Sequence, residues 1–299
     1  MGSPKTGSEP GSVTPRGLLL GIITSFAFSV SVVVNKAGLD RSALPPLDYT
    51  ALSGLTAGLL ALPPVLFKAS RIVSCSRTCL LKLLVIGVSA SGFAYILLFW
   101  GQSKTTATNA GFVLTLTAFF TILFASILLG ERIDKKKYPA IAILFLGLYL
   151  LIVGTKSLTL NTGDIFIVGT ALVWGVTNSI ARSVMSQVPS QLVAWLRLVI
   201  GGAFLAAVMR VSPGEGVAAA EAGDLWFLAS GLFVWASIVL FYKTIETLGA
   251  GMASLVVVSS PVISTAGAVV FLGEVLSIED FIGGALVLVS LIGITGLRK

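Results

Sequence analysis

Trp174 and Asn178 lie four residues apart in one apolar stretch, and Thr24 and Phe28 lie four apart in another. That spacing places each pair on one face of a helix. An aromatic ring one turn from an amide can stack on a flat or apolar group while hydrogen-bonding a polar one, which is chemistry for holding a small organic molecule. The same types also suit an aromatic packed between helices and an amide bonded to a neighbouring backbone. Aligning Leu20-Gly21 with Val168-Gly169 sets Phe26 against Trp174, Ser29 against Thr177 and Val30 against Asn178. Further groups of this kind are Tyr95, one turn before Phe99-Trp100-Gly101-Gln102, and Tyr242 in Phe241-Tyr242-Lys243-Thr244. Trp100 and Tyr242 stand at segment ends, the place of interfacial anchors. Tyr95, a turn deeper, is expected to face the interior. Asn109 opens an apolar run and either caps its helix or donates to a carboxylate.

Enzymatic chemistry finds no support. The chain has no His, on which nucleophilic triads and the common zinc sites lean. Cys75 and Cys79 are one turn apart and are expected to be free thiols in a reducing compartment. No catalytic group, metal or cofactor is expected.

The elements that must position these residues are long and apolar. Hydrophobic residues make up 56% of the chain and charged ones 11%, against roughly a quarter charged in a soluble domain. Ten apolar stretches of about 20 residues, the length that crosses a hydrocarbon core of about 30 Å, fall at 17–37, 48–67, 80–101, 105–129, 137–154, 164–182, 190–209, 224–242, 248–272 and 278–297. Lipid cannot satisfy open backbone, so these runs are helices and the fold is an all-α integral membrane protein. Residues 1–16, rich in Gly, Ser, Pro and Thr, are expected to form a disordered cytoplasmic tail.

The halves repeat. Leu128-Leu129-Gly130-Glu131 returns as Phe271-Leu272-Gly273-Glu274, and the small-residue run Thr105–Gly111 returns as Leu248–Ser254. The expected units are 17–155 and 164–297. Five helices per unit is an odd number, so the second unit is inverted, an arrangement that lets secondary transporters open one cavity to either side. With a cytoplasmic N-terminus, fourteen of the 20 Lys and Arg residues fall inside and five outside, so both termini are expected in the cytoplasm of a multi-pass cell-membrane protein. The basic loops, Lys68–Lys82 and Arg132–Lys137, then meet anionic lipid rather than nucleic acid. Oligomeric state is left open and is compatible with a monomer.

Ten helices in two halves, the paired Leu-Gly-Glu endings, Ser259-Ser260-Pro261 in helix nine and the polar patch opening at Trp174-Gly175 resemble the EamA branch of the drug/metabolite transporter superfamily. The resemblance spans about residues 17 to 297 and rests on order and spacing rather than on one motif. It implies a central cavity built by helices one, three, four, six, eight and nine, and a small-metabolite substrate such as an amino acid. Candidate substrate contacts are Thr24, Phe28, Tyr95, Trp100, Asn109, Trp174, Thr177, Asn178, Tyr242, Ser259 and Ser260.

Two positions break the repeat. Pro261 has Ala118 as its counterpart, and Arg197 has Ser53. A helix proline loses a hydrogen bond and clashes with the preceding turn, so Pro261 is the candidate gating kink, a static bend being the alternative. Arg197, about 10 Å into its helix, is expected to snorkel to the headgroups from a peripheral helix. The other reading is a guanidinium that attracts an anionic substrate at the inner mouth. A non-transporting scaffold or sensor with the same fold is the competing function.

Without His or a mid-membrane acid, the chain lacks the groups that commonly couple flux to protons. Uniport or exchange follows. Substrate entry into proteoliposomes should leave a lumenal pH dye unchanged, and an electrogenic proton flux accompanying substrate would contradict this.

Overall fold

A computed structural model describes residues 14–42, 44–68, 75–102, 104–105, 112–131, 133–154, 161–211, 225–263 and 277–295. Among them the structure is all-helical. Helix α1 is Pro15–Arg41 and α2 is Pro46–Phe67. Helix α3 runs as Arg77–Val88, passes through a π-helical turn at Ser89–Phe93 and continues as Ala94–Gln102. Then come α4 (Leu116–Leu129), α5 (Tyr138–Ile152), α6 (Thr162–Val184), α7 (Ser190–Val211), α8 (Trp226–Leu248), α9 (Ala250–Val257) and α10 (Ile278–Thr295). Seven spans, 46–67, 77–98, 112–129, 162–184, 190–211, 226–248 and 278–295, are long and apolar enough to cross a membrane. Asn109, the second Leu-Gly-Glu ending and residues 264–272 of the expected ninth helix lie outside the described residues.

Local chemistry sets the ends. Thr14 caps α1, accepting from the Gly17 amide at 3.1 Å, and Pro15 follows at the first helical position. Asn161 and Asp164 form a capping box on α6, the Asp164 carboxylate accepting from the Asn161 amide at 2.8 Å. Gly130 closes α4 at φ 68°, and Gly249 turns α8 into α9 at φ 83°. Helix α8 extends six residues beyond the expected end at 242. Its polar last turns find partners, Thr244 donating to the Leu240 carbonyl and Lys243 pairing with Glu246.

The helices pack α2 on α7, α5 on α10, α1 on α8, and α3 on α6, with α2 also against α8, α3 against α7, α4 against α6 and α9, and α9 against α1. Small residues make the closest contacts. A Cβ on Gly202 would lie 2.7 Å from the Gly54 carbonyl oxygen, and one on Gly58 3.0 Å from that of Leu198, so the Gly54/Gly58 pair serves packing within the chain. Apolar side chains such as Leu19, Phe26, Leu59, Phe119, Ile127 and Leu288 point outward. Phe26 is thus exposed, whereas the Trp174 to which it aligns is half-buried.

At the α5–α10 contact a Cβ on Gly283 would sit 2.5 Å from the Leu151 amide nitrogen and 2.7 Å from the Gly147 carbonyl oxygen. Backbone cannot give way as a flexible side chain can. Gly283→Val should therefore destabilise the fold by about 1–3 kcal/mol, the usual cost of overpacking, read as a lowered Tm in detergent, whereas Gly284→Val, with nothing within 4 Å of its Cβ position, should not.

Candidate functional site

The π-helical turn of α3 is the meeting point of four helices. Its wider winding is a feature often found at functional sites. The Ala90 carbonyl accepts from Trp174 Nε1 of α6 at 2.9 Å and from Arg197 Nη2 of α7 at 3.3 Å. Arg197 Nε donates to Ser91 Oγ at 2.8 Å, and Nη1 donates to the Tyr242 hydroxyl of α8 at 3.1 Å, with the guanidinium 5.4 Å from that ring. Tyr95 stands edge-on to Trp174, ring centroids 5.8 Å apart.

Arg197 thus does not snorkel. It is 3% exposed and turned into the protein. The physical reason is the supply of acceptors on α3 and the closeness of that helix, since a Cβ on Gly201, one turn after Arg197, would lie 2.3 Å from the Ser91 Cβ. Tyr242 is likewise fully buried rather than at an interface. Trp100, 54% exposed and edge-on to Phe166, has the anchor's position.

A second group joins α1 to α8 and α9. Thr24 and Thr244 share a hydrogen bond of 2.8 Å, and Phe28 meets Phe241 edge-on at 5.7 Å. Regular α9 stops at Val257, turns at Val258 and Ser259, and resumes to Ile263, which is the break that the missing N–H of Pro261 demands. Ser25 donates to the Val256 carbonyl at 3.1 Å and Ser29 to that of Ser260 at 2.8 Å, so α1 braces the break. The Ser259 hydroxyl is spent on the Val256 carbonyl of its own helix.

Asn178 and Thr177 are buried on α6. The Asn178 amide nitrogen donates to Thr121 Oγ1 of α4 at 3.4 Å, and Thr177 bonds the Val173 carbonyl one turn back at 2.7 Å. The structure therefore unites Tyr95, Trp174 and Tyr242 around α3, places Thr24, Phe28, Ser259, Ser260 and Pro261 along α1–α8–α9, and sets Asn178 between α4 and α6. Thr117 of α4 and Ser254 of α9 hold buried hydroxyls without a hydrogen-bond partner, on two helices that touch. Nothing in the spacing of hydroxyl residues singled these two out.

The end of the bundle that carries Glu131 holds a network that the sequence did not announce. Glu131 Oε1 lies 3.4 Å from Arg182 Nε, and Oε2 accepts from the Ala250 amide at 3.1 Å. Arg182 Nη1 donates to the Glu246 carbonyl at 3.0 Å. The Glu246 carboxylate in turn accepts from Ser190 at 2.9 Å and pairs with Lys243. One cluster ties the ends of α4, α6 and α8 to the starts of α7 and α9.

Comparisons with known proteins agree with this architecture. A solved crystal structure of 19% identity superposes with a TM-score of 0.75, over 95% of this chain and 99% of the other, which shows the fold. A probable amino-acid metabolite efflux pump of Escherichia coli is 27% identical over 300 residues, covering 94% of this chain and 95% of its own. Its Salmonella typhimurium counterpart is 26% identical over 303 residues, covering 93% and 95%. The model of the EamA-like transporter family matches residues 15–153 and again 161–296. The chain is a multi-pass membrane protein that belongs to the EamA-like transporter family, a family of transporters and not of enzymes.

Proposed function

We propose that the protein is a secondary transporter that moves a small organic metabolite, an amino acid or a similar molecule, by alternating access, as a uniporter or exchanger. The observation that carries this reading is the Glu131–Arg182–Glu246 network, which closes one end of the bundle by joining the end of α4 in the first half to α6, α8 and α9 in the second. That end is the cytoplasmic one if both termini are inside. The helix partnerships support an inverted ten-helix repeat: α1 on α8 answers α6 on α3, and α2 on α8 answers α7 on α3, each obtained by exchanging helix n for n+5. The names of the two enterobacterial relatives favour amino-acid metabolites as cargo.

In this reading Tyr95 and Trp174 offer stacking faces, the free Thr117 and Ser254 hydroxyls offer donors, and the break before Pro261 lets α9 bend as the network opens. The ion pairs are partly solvated, with side chains 34% and 31% exposed for Arg182 and Glu131. Such pairs contribute little each, about 0.2–1 kcal/mol, so they bias a conformation without locking it.

Counterflow in proteoliposomes with labelled amino acids tests the function. Wild type should accumulate one class, and Trp174→Ala should reduce that flux at least about tenfold, because the indole braces the α3 turn beside the site. No counterflow from correctly inserted wild type would favour the scaffold alternative. Glu131→Gln tests the closed end: in a background lacking Cys75 and Cys79, Asn178→Cys should be labelled from the Glu131 side about two- to fivefold faster, the shift a pair of this strength allows. An unchanged rate would remove the network from the gate.

A further inference from the structure

Arg197 carries a charge into the interior of the bundle, and the described residues do not neutralise it. The ion pairs among those residues are Arg182–Glu131 and Lys243–Glu246, both at the bundle end. The three partners of Arg197 are neutral: the Ser91 hydroxyl, the Tyr242 hydroxyl and the Ala90 carbonyl. A guanidinium has five N–H donors, and three are used, which leaves one on each terminal nitrogen. Removing a charge from water is costly unless an opposite charge meets it. Neutral acceptors alone would be served as well by a neutral donor.

The surroundings say what would meet it. Trp174 and Arg197 converge on the same Ala90 oxygen, so the indole edge and the guanidinium are neighbours, with Tyr95 edge-on to that indole. Trp174 and Tyr95 are half-buried, whereas Arg197, Ser91 and Tyr242, the floor of the cluster, are buried. Two free N–H groups on the terminal nitrogens of a fork are what a carboxylate accepts. The asymmetry of the halves isolates the site: the counterpart position holds Ser53, whose buried hydroxyl has no partner.

We propose that Arg197, set in place by Ser91 and Tyr242, is the recognition group for a carboxylate on the transported molecule. The proposal deepens the transporter reading and rests on it. The carboxylate docks against the floor while the rest of the molecule lies along Tyr95 and Trp174, so the bound cargo supplies the missing negative charge. In the unloaded state the Ser91, Tyr242 and Ala90 oxygens hold the guanidinium ready. Specificity for acids over their neutral derivatives follows from this arrangement.

The test is counterflow of L-phenylalanine against L-phenylalaninamide, which replaces the carboxylate by a neutral amide, through wild type, Arg197→Gln and Arg197→Lys in proteoliposomes. Wild type should prefer the acid at least about tenfold in kcat/KM, the range of a charge-assisted pair. In Arg197→Gln the preference should fall to within about threefold, chiefly through KM for the acid. Arg197→Lys keeps the charge but not the fork, so it should retain part of the preference, and it serves as the readout should the Gln variant not insert. Equal transport of acid and amide by wild type would overturn the assignment and leave the transporter standing. So would full retention of acid preference and KM in either variant. Absence of counterflow by inserted wild type with both probes and with the labelled amino acids would overturn the transporter reading, and the assignment with it.

Discussion

Polar groups inside an apolar bundle must find their partners inside it, because lipid offers none. Much of the described interior is organised by that constraint. Thr24, Ser25, Ser29, Thr121, Thr170, Thr177, Ser179 and Thr244 each return a hydrogen bond to a carbonyl one turn back in their own helix. Several also reach across: Ser25 and Ser29 to α9, Thr170 to the Ala94 carbonyl of α3, and Ser179 to the Thr121 carbonyl of α4. Bonds of this kind hold apolar helices in register where hydrophobic contrast with the lipid is small. The few described groups left over, Arg197 in charge and Asp48, Ser53, Thr117, Trp195, Trp235 and Ser254 in hydrogen bonding, are therefore informative.

The halves divide two tasks. In the second, α9 turns at Val258 and Ser259 ahead of Pro261, and Arg197 joins α7 to α3 and α8; in the first, the chain turns at Thr115 ahead of Ala118, and Ser53 leaves its contact uncharged. The α2–α8 contact relies instead on Gly231, where an added Cβ would lie 2.6 Å from the Ser53 carbonyl oxygen. Equivalent positions thus make a close backbone contact in one half and a charged clamp in the other.

The fold was legible because apolar runs of about 20 residues separated by charges leave little choice but membrane helices. Ends were less so. Helix α8 outran its expected end since Thr244 and Glu246 find partners across the chain, and Lys243 pairs with Glu246, none of which polarity alone reveals. Of the candidates, the aromatic residues Tyr95, Trp174 and Tyr242 gather around α3, whereas Phe26, which aligns with Trp174, is more exposed than it. The π-helical turn was invisible in Ser89-Ala90-Ser91-Gly92-Phe93, and with it the reason that Arg197 turns inward. Snorkelling assumes that headgroups are the best acceptors within reach; Ser91, Ala90 and Tyr242 supplied better ones.

The strengths of the two charged clusters fit different duties. Glu131, Arg182, Lys243 and Glu246 are partly exposed, so water shares each pair and the cluster separates at small cost. Arg197 is shut from water, so any exchange of its partners is felt strongly. A transporter needs a closure that opens in every cycle and a recognition group that distinguishes loaded from empty. In the transport cycle proposed above, the solvated network at the end of the bundle would serve the first need and the buried charge of Arg197 the second. Binding at the centre shifts the end only if the two share moving elements, and α8 carries both Tyr242 and Glu246, one helical turn apart.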